Sequence, residues 1–126
     1  MATPAREEPG VIPAIEGRRS WLSPGSDTGW HQHDAGQLLW PSTATLRVHT
    51  QHGVWIVPPT GALWIPPDER HRRVACIEQR ECSLYLPVTC CHALPRQSCL
   101  VRVDRALAQA VLEAIGALER GERAEP

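Results

Sequence analysis

From residue 21 to residue 103 the chain is a succession of short apolar segments, each stopped by proline, glycine, serine or aspartate, and this punctuation restricts the fold more than any other feature. Residues 37–40, 44–49, 53–57 and 62–65 are followed by residues 71–77, 82–86 and 99–103. Segments so short and regularly spaced, rich in β-branched and aromatic residues, predict an all-β sandwich or barrel rather than alternating strands and helices. Leu46 with Val48, and Leu84 with Leu86, show the alternation of half-buried strands. The Pro-Pro pairs at 58–59 and 66–67 belong at strand ends or edges, because proline cannot donate to a ladder.

After Val103 the period lengthens. Leu107, Val111, Ile115 and Leu118 fall on one face of a helix over 104–120, with Asp104 as its N-cap. Residues 1–18, rich in Pro, Ala, Glu and Arg, read as a loose arm, and residues 121–126 as a polar tail or the start of a linker. The β region over 19–103 is one domain, since 126 residues leave no room for two.

Charge excludes one class of partner. With 13 Lys+Arg against 14 Asp+Glu the net charge is -1, so no general basic field exists to hold a nucleic acid. Neither a signal peptide nor a run long enough to span a bilayer is visible, and the expectation is a soluble, cytoplasmic protein. Cys76, Cys82, Cys90, Cys91 and Cys99 are odd in number and contain no Cys-x-x-Cys pair, so reduced thiols acting as small buried apolar groups are expected.

The chemistry is concentrated in the histidines. His31 and His33 stand two apart, so on a strand both face one side, and Gln37 four residues on faces the same way; His71 follows the second Pro-Pro pair. Three imidazoles and an amide oxygen meeting inside a barrel would suit a divalent transition metal such as Zn, Ni or Fe. Gln37 is the weak member, being neutral where a carboxylate would bind a cation more strongly. Protons compete with metal, so occupancy is expected to fall as the pH drops through about 6.5. His49, His52 and His92 match no usable spacing and read as surface or turn residues. Trp30, Trp40, Trp55 and Trp64 are expected in the core and as walls of a pocket for an aromatic or apolar ligand.

Residues 29–40 (Gly-Trp-His-Gln-His-Asp-Ala-Gly-Gln-Leu-Leu-Trp), 53–59 (Gly-Val-Trp-Ile-Val-Pro-Pro), 61–74 and the later Leu84-Tyr85-Leu86 resemble the cupin-type sensor domain of AraC-family transcription regulators. The resemblance runs from about Trp21 to about Leu118. It implies a cupin-like double-stranded β-helix, or jelly-roll, barrel with a C-terminal helix that packs on the barrel or on a second subunit. Cupin motifs supply two histidines and a glutamate, then a histidine, which the resemblance places at His31, His33, Gln37 and His71. Gln37 departs from that pattern, which puts metal redox or hydrolytic chemistry in doubt, and no glycine precedes His71 at the usual place in the turn. The implied role is a non-enzymatic regulatory module that binds a small-molecule effector, a divalent metal or both. Such a module would act as a homodimer and reach DNA only through a helix-turn-helix part absent from this chain. A small stand-alone metal-dependent cupin enzyme, an oxygenase or isomerase, is the alternative.

Overall fold

The computed structural model describes residues 14–121. Eight strands form two sheets. β1 (Glu16–Leu22), β7 (Gln79–Leu86), β2 (Gly36–Pro41), β5 (Gly61–Ile65) and β8 (Cys99–Arg102) lie side by side in that order, while β4 (Gly53–Val57), β3 (Leu46–Thr50) and β6 (His71–Val74) make the smaller sheet. Every pairing is antiparallel, and β2 lies between β7 and β5 rather than beside β3, the crossover order of a jelly roll. A single α-helix, α1 (Arg105–Glu119), closes the described chain.

Period-two alternation sorts the residues of the larger sheet to its two faces. Leu39, Leu63 and Ile65 point into the barrel and join Leu22, Leu46, Val48, Val57 and Ala75 in an apolar cluster. On the outer face Trp40, Ala62 and Cys82 pack with Val111 and Ile115 of α1, with Leu38 and Leu84 beside them. The helix therefore covers its own barrel. Asp104 caps it by accepting a hydrogen bond from the Leu107 amide at 2.8 Å.

Two expectations need correction. The arm ends earlier than residue 18, since Glu16, Gly17 and Arg18 pair with Tyr85, Leu84 and Ser83; residues 1–13 and 122–126 lie outside the described residues. Leu84 and Leu86 are half-buried at alternate positions of β7, as their alternation predicted, and the polar residues of the strand take the inward face. Gln79, Glu81, Ser83 and Tyr85 of β7 are all buried, and Ser83, Tyr85 and Glu81 reach the barrel interior, while Leu84 serves the helix side. The cysteines are free, but only Cys82 is buried and Cys76 is exposed, so burial does not describe them as a group.

Candidate metal centre

His31 and His33 do not sit on a regular strand; they precede β2 in an extended segment fastened at two points. His31 exchanges both backbone hydrogen bonds with His71 of β6, at 3.0 and 2.9 Å, and the Asp68 amide donates to the His33 carbonyl at 2.8 Å. These contacts bring the two histidine-bearing stretches together across the gap between the sheets. The turn that delivers His71 has Pro67 before Asp68 at φ 65°, closed by the Glu69 amide donating to the Pro66 carbonyl at 3.3 Å. This is the pattern of a type II turn, in which the third residue must adopt a positive φ. Aspartate tolerates that region better than most side chains, which is how the turn forms without the expected glycine.

One ring nitrogen from each of His31, His33 and His71 lies within 4.8 Å of the other two. Nitrogens at about 2.1 Å from a tetrahedral zinc ion are about 3.4 Å apart, so a small inward shift of the rings closes the set on a metal. The tautomers favour this. Each Nδ1–H donates to a backbone carbonyl: His31 to Gly29 at 3.0 Å, His33 to Ala35 at 2.8 Å and His71 to Glu69 at 2.8 Å. All three Nε2 atoms are left as lone-pair donors, oriented by partners of the kind that metal-bound imidazoles have. His71 Nε2 is buried with no hydrogen-bond partner among the described residues.

Gln37 adds a second unsatisfied acceptor to the same place. Its amide N–H group donates to Ser83 Oγ at 3.0 Å and to the Tyr85 hydroxyl at 3.3 Å, which turns Oε1 toward His33 Nε2 at 3.2 Å. Two lone pairs facing each other repel unless a cation lies near both. The donor set therefore fits a divalent transition metal, on the strength of an orphaned imidazole nitrogen and an opposed amide oxygen.

Burial keeps the imidazoles neutral. It drives the His71 pKa down to about 3, opposed by the Glu69 carbonyl and reinforced by the repulsion a second proton would meet from His31, His33 and the Arg73 guanidinium. His33 and His31 are lowered for the same first reason, each opposed by its own carbonyl partner. The pH at which protons displace metal consequently lies below the 6.5 expected from unperturbed histidine.

Beside the histidines lies a cavity of about 120 Å³, lined by Gln37, Arg18, Ser20, Thr28, Arg73 and Glu81 among others. Arg73 Nη1 donates to Glu81, which also accepts from the Ser83 hydroxyl. None of the four tryptophans expected as pocket wall lines it. Trp30 is 44% exposed, edge-on to His49 and beneath Arg70. Trp40 faces α1 and donates its indole N–H to the Pro59 carbonyl at 2.8 Å, Trp55 packs on the apolar cluster, and Trp64 donates to the Pro95 carbonyl at 2.8 Å. Each buried indole N–H takes the backbone acceptor within reach, and that requirement places the rings away from the histidines. Of the remaining histidines, His52 pairs with Glu69 at 2.9 Å.

Sequence reasoning missed Arg73, Glu81, Ser83 and Tyr85. A signal existed in the alternate polar positions 79, 81, 83 and 85 of β7.

No family model matches the chain. A stretch of 68 residues is 31% identical to the HTH-type transcriptional regulator NimR of Escherichia coli, and spans 48% of this chain and 25% of that protein. ToxT from Vibrio cholerae, in a crystal structure with an unsaturated fatty acid bound, superposes with a TM-score of 0.66 at 8% identity over 85% of this chain and 47% of its own. An RmlC-like cupin from Shewanella frigidimarina gives a TM-score of 0.56 at 15% identity over 60% of this chain and 68% of its own. The chain thus spans about a quarter of the curated regulator and about half of ToxT. At such identities the structural likeness is one of fold, and the chain is a cupin-type β-barrel with a C-terminal helix, as its resemblance to AraC-type sensor domains implied.

Proposed function

We propose that the chain is the sensor module of an AraC-type transcription regulator, and that its barrel holds one divalent transition metal on His31, His33 and His71 with Gln37 as a neutral fourth ligand. The observation that carries the metal is the set of three Nε2 atoms, each freed by an Nδ1–H donation to a backbone carbonyl, with His71 Nε2 left partnerless in the interior. The regulatory reading is supported by the stretch shared with NimR and by a fold shared with ToxT. A small effector, self-association and a cytoplasmic setting belong to this reading. Among the described residues no helix is long and apolar enough to cross a membrane.

An enzymatic reading has one point in its favour, the polar cavity onto which a bound metal would open. Against it, the carboxylate nearest to serving as a general base, Glu81, already accepts from both Arg73 and Ser83. The sensor reading is therefore preferred.

Zinc, nickel or cobalt titrated calorimetrically into protein without an affinity tag is expected to bind at one ion per chain, and His71→Ala to lower the affinity by a factor of about ten or more. Equal binding by the variant would remove the metal from the account. Turnover of a small substrate by iron- or manganese-loaded protein, lost in His33→Ala, would replace the sensor by an enzyme.

A further inference from the structure

We propose that the cavity beside the histidines takes a small carboxylate anion, held by Arg73 Nε and by Arg18 at the mouth, next to the cation that the histidines would hold. The inference rests on the metal reading above and names the class of ligand for that site.

Size comes first. About 120 Å³ is well short of the roughly 300–1,000 Å³ that drug-sized ligands need, so the occupant has few heavy atoms. The apolar cluster of Leu39, Val48, Ile65 and their neighbours fills the rest of the interior and leaves no room for a long alkyl chain.

Two unsatisfied buried atoms then describe the ligand. His71 and Arg73 are two apart on β6, both line the cavity, and both carry a buried nitrogen with no hydrogen-bond partner among the described residues: Nε2, an acceptor, on His71 and Nε, a donor, on Arg73. Leaving a buried guanidinium N–H unpaired is costly, and a ligand oxygen that reaches Nε by a small turn of the Arg73 side chain toward the cavity recovers that cost. Arg73 Nη1 is committed to Glu81, whereas Nε belongs to the side-on edge of the guanidinium, whose two parallel N–H groups match the two oxygens of a carboxylate.

Charge agrees. Arg18 lies 5.6 Å over the Tyr85 ring and has no ion-pair partner among the described residues, so two guanidiniums face the single Glu81 carboxylate. The histidines are neutral, and a divalent ion would make the wall more positive still. A tetrahedral oxyanion fits less well, because the Thr28 hydroxyl already donates to the Gly29 carbonyl and the Ser83 hydroxyl to Glu81, leaving few donors for four oxygens.

The test uses cobalt-loaded protein, whose visible absorption reports a change in ligands, together with calorimetry. Acetate and oxalate are expected to bind saturably, and Arg73→Lys, which keeps the charge and loses the side-on edge, to weaken them about tenfold or more while cobalt content stays unchanged. Arg18→Gln, on the exposed rim, is expected to weaken them several-fold and carries the test should Arg73→Lys misfold by circular dichroism. Unchanged acetate affinity in a folded Arg73→Lys protein overturns the proposal, as does phosphate or decanoate binding as tightly as acetate. If cobalt does not load, the metal reading fails separately. Acetate binding to metal-free protein that Arg73→Lys weakens then still supports the carboxylate site, and no binding overturns it.

Discussion

At the level of single residues, the site depends on imidazoles that are neutral and aimed, and both properties come from burial plus one backbone carbonyl per ring. The consequence is a defined dependence of stability on pH. His71 has a folded-state pKa of about 3 and an unfolded one of about 6.5. Above 6.5 neither state is protonated there and the group adds no pH dependence. Below 6.5 the unfolded chain takes up a proton that the folded chain refuses, so stability falls as the pH drops toward 3 and levels off beneath it. His31 and His33 act in the same direction. The carboxylates lowered by ion pairs, Asp27 and Glu119, lose their contribution only as the pH falls below their ordinary values of 3.8 and 4.5. Urea midpoints of metal-free protein at about pH 7.5 and about pH 5 therefore isolate the histidines. The midpoint is expected to be lower at the acid end, with the difference reduced in His71→Gln; an equal or higher midpoint at pH 5 contradicts the buried neutral triad.

The three histidines were legible as a group, but the strand argument behind them was not met: His31 and His33 precede β2, and it is the backbone pairing of His31 with His71 that brings the rings together. Gln37 was legible in position but not in behaviour, since only the Ser83 and Tyr85 contacts show which end of the amide faces His33. Arg73 and Glu81 were not legible, because an isolated arginine or glutamate on a strand is ordinarily solvated. Trp40 and Trp64 misled for a physical reason: an indole seeks burial and an acceptor for its N–H together, and the acceptors offered here are carbonyls of Pro59 and Pro95, neither of which lines the cavity.

Among the elements, β7 and α1 decide how the barrel is completed. The alternation of β7 carries two messages at once, polar residues for the interior and Cys82 and Leu84 for the helix, so apolar alternation alone marks the helix side and says nothing of the interior. The period of α1 was unambiguous, and the surface it covers was not, because an apolar stripe fits its own barrel or a second subunit equally well. Val111 and Ile115 are buried on the outer face of the larger sheet, and Gly17 of β1 makes room, since a Cβ there would lie 3.0 Å from Leu118 and 3.1 Å from Ile115. Ile115→Ala is expected to cost about 2–5 kcal/mol by opening a cavity at that contact. Asp104→Ala removes only the cap and is expected to cost about 1 kcal/mol. Chemical denaturation followed by tryptophan fluorescence measures both. An Ile115→Ala loss no larger than the cap's would show the helix to be loosely attached in solution.

For the whole molecule, the candidate metal ligands come from two sides of the barrel. His71 belongs to the smaller sheet, while His33 leads directly into β2 of the larger one. A cation bound to both would tie the sheets together, and binding to the folded state alone stabilises by about 2.7 kcal/mol at a hundredfold excess over Kd. Transmission has a physical route from there. Gln37 bonds to Ser83 and Tyr85 of β7, and the opposite face of β7 packs on α1 through Cys82 and Leu84, so a shift of the Gln37 amide toward a metal bears on the strand beneath the helix. Regulation requires that the ligand favour one arrangement of that helix over another. Hydrogen exchange separates the two effects. Zinc is expected to slow exchange in residues 29–37 and 66–74, which surround the imidazoles, and to a smaller extent in α1 if the strand carries the signal. Gln37→Leu is expected to keep the metal on its three imidazoles yet remove the change in α1. Protection confined to the histidine segments, with α1 indifferent in the unmodified chain, would leave a metal site that stabilises the barrel without informing the helix.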